Sequence, residues 1–323
     1  MIEFGSGEFH FRLVEGWGHN LADWEDSQSG LSRISGLSCD SQGRVYLLSR
    51  SDRPVLIADR DGQLLESWDA SLFDTPHGAT VDADDNFYCV DSGGHMVYKF
   101  DKHGKLVLTL GRRGHPSDTG AEYKPMHEMP DYRTVKRGAG PFFAPTNLAV
   151  APRSGDLYVS DGYGNSRIHR FTKDGAYVQS WGEPGVRPGQ FHIPHGVLVG
   201  PNDVVYVADR DNKRIQLFDL TGHFLEQWTF TLYPSHLVLG PDGLLYVCES
   251  LETPAFDGSP AGFRILTLEG RELAFFDNGI AGRAYQKTRA AHDICVDGEG
   301  SVYIGDVGNV PKDHVGVWKY RRV

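Results

Sequence analysis

The chain has 323 residues, of which 40% are apolar and 23% charged, the composition of a globular protein with a large core and not of a disordered chain. A formal net charge of -11 gives no support to nucleic acid or an anionic membrane surface as partner. No stretch approaches the roughly 18 consecutive apolar residues of a membrane span. The opening MIEFGSGEFHFRL lacks the basic-then-apolar order of a signal peptide, so a cytoplasmic location is expected.

From the N-terminus onward, one pattern recurs six times. A Pro or His precedes two or three apolar residues and a turn of Asp, Gly or Asn. Val/Leu-Tyr-Val and an acidic residue follow, then a polar loop, an Arg-Ile-like strand ending in Phe-Asp, a Gly turn and a last strand. The copies cover about 34–68, 75–111, 144–182, 193–228, 233–276 and 290–323. Alternating apolar residues bounded by Gly, Asp and Asn turns are strand-and-hairpin grammar. Four strands in a period of about 40 residues predict the blade of a β-propeller. The sixth copy has three strands, and residues 10–18 (HFRLVEGWG) resemble the fourth strands KLVLTLG and YVQSWG of other copies. The expected fold is therefore all-β, a six-bladed β-propeller forming one domain over 1–323, its N-terminal strand completing the last blade and closing the ring. Residues 20–32, 112–143 and 250–263 interrupt the period and read as loops on this scaffold. Cys39, Cys89, Cys248 and Cys295 form no CxxC pair and are expected as buried free thiols.

Aligning the six openings gives the column Ser35, His77, Thr146, His195, Ser235, His292. Histidine stands in alternate blades only, which a six-fold ring relates by a third of a turn. Three imidazoles converging on the axis are a catalytic metal arrangement, with zinc the first choice and Co, Ni, Cu or Fe also compatible. The alternative is a set of packed, hydrogen-bonded channel histidines. His236, one residue out of this column, reads as packing beside it, and His115 and His127 as solvated loop residues.

A second column follows the Val-Tyr-Val strand: Ser49-Arg50, Asp91-Ser92, Asp161-Gly162-Tyr163, Asp209-Arg210, Glu249-Ser250 and Asp306-Val307. The recurring acid reads as turn support. Arg50, Tyr163 and Arg210 vary beyond it. Arginine clamps carboxylates, and a tyrosine hydroxyl beside a metal and a cation is a candidate base. Together they predict a site for a small anionic substrate. Asp293, next to His292, is a candidate for channel hydrogen bonding or for a second, oxygen-liking cation.

VSDGYGNSRIHRF, GEPGVRPGQFHIPHGV and VYVADRDNKRIQLF resemble the NHL-repeat propellers and, more narrowly, peptidyl-α-hydroxyglycine α-amidating lyase. TPHGATVDADDNFYCVD and AAHDICVDGEGSVYIGD match that family's other histidine segments, so the resemblance covers all six copies. It implies zinc on His77, His195 and His292, a catalytic Tyr163, substrate-contacting Arg50 and Arg210, and calcium on Asp293 with the Ala79 carbonyl. It also implies cleavage of the C–N bond of an N-acyl-α-hydroxyglycine to an amide and glyoxylate. The chain departs from that family at Gly164, where the family carries a disulfide cysteine, at Ala290, where it has Met, and in the longer 112–143 segment. Two other expectations remain at this level: a metal-dependent hydrolase of a small amide, ester or lactone, and a non-enzymatic binding propeller. A monomer is expected.

Overall fold

The computed structural model describes residues 3–22, 34–123, 129–230, 232–250, 262–277, 291–307 and 315–323. His127, Ala290 and most of the 20–32 and 250–263 segments lie outside them. The described strands form a six-bladed β-propeller, and their contacts fall into two compact units, 1–72 with 235–323, and 73–234. No helix among the described residues is long and apolar enough to cross a membrane.

The unit 73–234 contains blades 2, 3 and 4. Blade 2 runs Pro76–Val81, Phe87–Asp91, Met96–Phe100 and Leu106–Gly111. Blade 3 runs Asn147–Val150, Leu157–Asp161, Arg167–Phe171 and Tyr177–Trp181. Blade 4 runs Pro194–Val199, Val204–Asp209, Arg214–Asp219 and Phe224–Thr229. Each is an antiparallel meander in chain order. The segment 112–143 is built on blade 3 and is not a bare loop. It carries the paired strands Glu122–Tyr123 and Pro130–Asp131, and its buried Thr119 donates to Gly164 O at 2.6 Å.

The unit 1–72 with 235–323 contains the other three. Blade 1 runs Ile34–Cys39, Val45–Ser49, Val55–Ala58 and Leu64–Trp68. Blade 5 opens with Tyr233–Leu239 and continues with Leu245–Ser250, Gly262–Leu266 and Glu272–Asp277. Blade 6 runs Ala291–Val296, Val302–Asp306 and Val317–Arg322. Its fourth strand is the N-terminal Phe9–Leu13, paired antiparallel through Phe11–Arg322, Arg12–Arg321 and Leu13–Tyr320. A further strand, Glu3–Ser6, pairs outside it and makes this sheet five-stranded. The closing strand begins and ends earlier than the 10–18 segment implied.

The Val-Tyr-Val pattern explains the core. Its tyrosines, Tyr46, Tyr88, Tyr158, Tyr206, Tyr246 and Tyr303, are all buried. A buried ring of this size contributes a large apolar area only if its hydroxyl finds a partner. In three blades the turn ahead of the strand supplies it. The hydroxyls of Tyr88, Tyr246 and Tyr303 donate to Asp82, Asp242 and Asp297 at 3.0, 2.9 and 3.0 Å, and Tyr158 donates to Leu220 O at 3.1 Å. Burial pushes the Tyr158 hydroxyl up to about 12, so these rings stay neutral donors at ordinary pH.

Phe11 on the closing strand is fully buried, edge-on to Phe263 and Phe276 at centroid distances of 5.6 and 5.2 Å. Phe11→Ala should cost about 3–5 kcal/mol, read as a lowered urea midpoint at unchanged slope. An unchanged midpoint would show that the N-terminal strand contributes nothing to closure.

Candidate functional site

The positions of four column residues follow from a local irregularity. In blade 2, Pro76 pairs with Asp91 but Gly78 pairs with Val90, so His77 is an extra residue in the ladder. His195 in blade 4, His292 in blade 6 and Ser35 in blade 1 sit at the same shift. A β-bulge re-aims the side chain it carries. The acid at the end of the second strand braces the approach to the bulge. Asp91 accepts the N–H groups of Asp74 and Thr75 at 2.9 and 2.6 Å, Asp161 that of Phe143 at 3.0 Å, and Asp209 that of His192 at 2.8 Å.

The residues after the acid are fastened to the same approach segments. Tyr163 N donates to Ala144 O and Gly164 N to Phe143 O, at 3.3 and 3.0 Å, while Arg210 N donates to Ile193 O at 3.1 Å. Tyr163 and Arg210 are thereby fixed relative to the bulges beside them.

Within the unit 73–234 four predicted residues meet. Tyr163 Oη lies 2.9 Å from His77 Nε2 and 2.9 Å from His195 Nε2, and the two imidazole centroids are 4.9 Å apart. The Arg210 guanidinium carbon stands 5.8 Å from the Tyr163 ring centroid, and its Nε donates to Asp211 at 2.9 Å. Burial opposes the Arg210 charge, but Tyr163 and Asp211 outweigh it and hold the guanidinium above its usual value. Asp211 also accepts from Tyr132 of the 112–143 segment, which ties that segment to the arginine.

Within the other unit, His292 Nδ1 donates to Ser35 O at 2.8 Å. Asp293, next in chain, accepts Leu37 N at 3.1 Å and Ile294 N at 2.7 Å, and lies 3.4 Å from His236 Nε2. Burial pushes the Asp293 carboxyl well up and the His236 imidazole down to about 3, so His236 is neutral. Arg50, just past Val45–Ser49, is exposed and makes no polar contact among the described residues. Ala79 is buried in Pro76–Val81, opposite Cys89.

The tautomers test whether these rings suit a metal. A carbonyl oxygen can only accept, so the 2.7 Å contact of His77 Nδ1 with Thr146 O and that of His292 with Ser35 O place the proton on Nδ1. In a neutral ring with that proton, Nε2 is the unprotonated nitrogen, the form that ligates a metal, and the outer carbonyl fixes the orientation. The acceptors Thr146 and Ser35 are the non-histidine members of the same column. The sequence displayed them, but a backbone carbonyl leaves no residue-type signal. His77, His195 and His292 are each buried, and each is of the residue type that most often ligates a metal ion.

Fold and sequence column together define a six-bladed β-propeller with buried histidines in alternate blades. A family profile described as a six-bladed β-propeller matches residues 149–259. The chain belongs to the NHL-repeat propellers: it is 32% identical to NHL repeat-containing protein 3 of Mus musculus, over 75% of this chain and 67% of that protein. It is homologous to the amidating lyases, being 33% identical to peptidyl-α-hydroxyglycine α-amidating lyase 1 of Drosophila melanogaster over 64% of this chain and 41% of that protein. It spans about a third of the length of the longer curated relatives that match nearly all of it. Among solved structures, a gluconolactonase from Xanthomonas campestris shares the fold, with a TM-score of 0.63 at 17% identity over 97% of this chain and 90% of that one.

Two glycines flanking Tyr163 are dictated by close approach. A Cβ on Gly162 would enter the Pro194 carbonyl oxygen, next to His195, and one on Gly164 would enter the Phe143 ring. The Phe143 ring thus fills the space that a cysteine at 164 would need. Gly162→Ala should destabilise by about 1–3 kcal/mol. Gly140→Ala, exposed and with nothing within 4 Å, should stay within about 0.5 kcal/mol. Thermal melts of the two variants compare them directly, and equal melting temperatures would contradict the steric argument.

Proposed function

We propose that this chain is a metal-dependent carbon–nitrogen lyase that converts an N-acyl-α-hydroxyglycine-like substrate to an amide and glyoxylate. The observation that carries the reading is Tyr163 Oη at 2.9 Å from Nε2 of both His77 and His195, with the Arg210 cation over the same ring. A phenol within hydrogen-bond reach of two imidazoles and beside a guanidinium has the contacts a general base or acid requires. The similarity to a fruit-fly amidating lyase supports the same reaction class.

His77, His195 and His292 would hold the ion through Nε2. A divalent metal there, with zinc the first choice, supplies Lewis acidity that eases loss of the substrate hydroxyl proton. Tyr163, proposed to act as its phenolate, takes that proton and becomes the phenol. As the carbonyl of glyoxylate forms, the C–N electron pair passes to nitrogen, and Tyr163 returns the proton to the leaving amide. Arg210 attracts the substrate carboxylate, and Arg50, which has no competing partner among the described residues, is proposed as its second cation. Asp293 and the Ala79 carbonyl are the groups proposed for calcium. Each Asp293 oxygen takes one backbone N–H, which leaves lone pairs for a cation.

Purified protein of measured metal content should release glyoxylate from α-hydroxyhippurate. Tyr163→Phe should lower kcat by about 10²–10⁴ while keeping its metal, and chelation should abolish turnover. A metal-loaded protein that releases no glyoxylate, or a Tyr163→Phe variant with full activity, overturns the assignment.

A further inference from the structure

We propose that Cys39 and Cys295 are a redox modification site that forms a disulfide between the opening strand of blade 1 and the opening strand of blade 6. Their sulfurs lie 3.0 Å apart although the residues are 256 apart in sequence. Bond formation requires an approach of about 1 Å more.

The pair is the last of three links between Ile34–Cys39 and Ala291–Val296. His292 Nδ1 donates to Ser35 O, Leu37 N donates to Asp293, and Cys39 meets Cys295, at separations of 257, 256 and 256 residues. The first two links hold the strands in the register that brings the sulfurs together, so little conformational freedom is left to lose on bonding. Both cysteines belong to one apolar cluster with Trp17, Leu37, Val45 and Tyr303. Cys295 is buried, whereas Cys39 is half-buried, so a reagent from solvent meets Cys39 first. Cys89 and Cys248 are buried free thiols.

The reaction is thiol–disulfide exchange with a low-molecular-weight disulfide as oxidant. Cys39 thiolate attacks one sulfur of the reagent and expels one reagent thiolate. Cys295, losing its proton to solvent, then displaces the second reagent thiolate and completes the protein disulfide. Two protein thiols are oxidised and one reagent disulfide is reduced to two thiols. The bond would tether the strand that carries His292 and Asp293. The proposal rests on the sulfur geometry and stands independently of the lyase reading.

Oxidised glutathione, followed by acid quench and thiol counting after denaturation, should reduce four titratable thiols to two, with the intact mass lower by two hydrogens. Peptide mapping should find Cys39 joined to Cys295, and dithiothreitol should restore four thiols. Cys248→Ser should still lose two thiols. Cys39→Ser should form no internal disulfide while melting close to the reduced wild type. Oxidised wild type should melt above the reduced form, a shift absent in Cys39→Ser. Four thiols persisting in wild type, a glutathione adduct retained on Cys39, or a bond to Cys89 or Cys248 would each overturn the proposal.

Discussion

A buried acid at the end of a second strand accepts the backbone N–H groups that lead into the inner strand of the same blade, as Asp91, Asp161 and Asp209 do. Removing these carboxylates from water is costly, and burial pushes Asp91 up and Asp209 to about 6. The hydrogen bonds offset that cost and convert it into position. Asp209 also gathers Asn212, Arg214 and Gln216. Its blade therefore has a satisfied polar hub directly beneath Arg210.

Function is mounted on this scaffold by small departures from the repeat. The bulge occurs with Ser35 as well as with His77, His195 and His292, so the irregularity does not depend on the imidazole. Blades without histidine also take part, since Thr146 and Ser35 give carbonyls that set the tautomer of His77 and His292. In these two pairs the alternation of His with Ser or Thr is an alternation of ligand candidate and orienting group.

Several parts of this arrangement were readable in advance because they depend on residue type at a fixed spacing. The six tyrosine-centred apolar strands, the acids after five of them and the alternate histidines follow the blade period. Tyr163 and Arg210 stood out because they break an otherwise uniform column. The strand Glu3–Ser6 lies outside the repeat and had no counterpart to align with. The hairpin in 112–143, the reach of Tyr132 to Asp211 and the contact of His236 with Asp293 join segments whose proximity no spacing announces.

The sequence by itself determined the all-β class, the number of blades, the closing role of the N-terminus and the column in which the histidines stand. Side-chain period and turn chemistry are local properties, and six copies average out the ambiguity of any one. Only the tertiary structure decided which nitrogen of His77 and His292 is unprotonated, that one tyrosine oxygen lies at equal distance from two imidazoles, and that Cys39 faces Cys295. Those outcomes depend on backbone carbonyls, bulge geometry and strand register between blades, to which residues 32 to 257 positions apart contribute. The residue types at either end carry no record of that register.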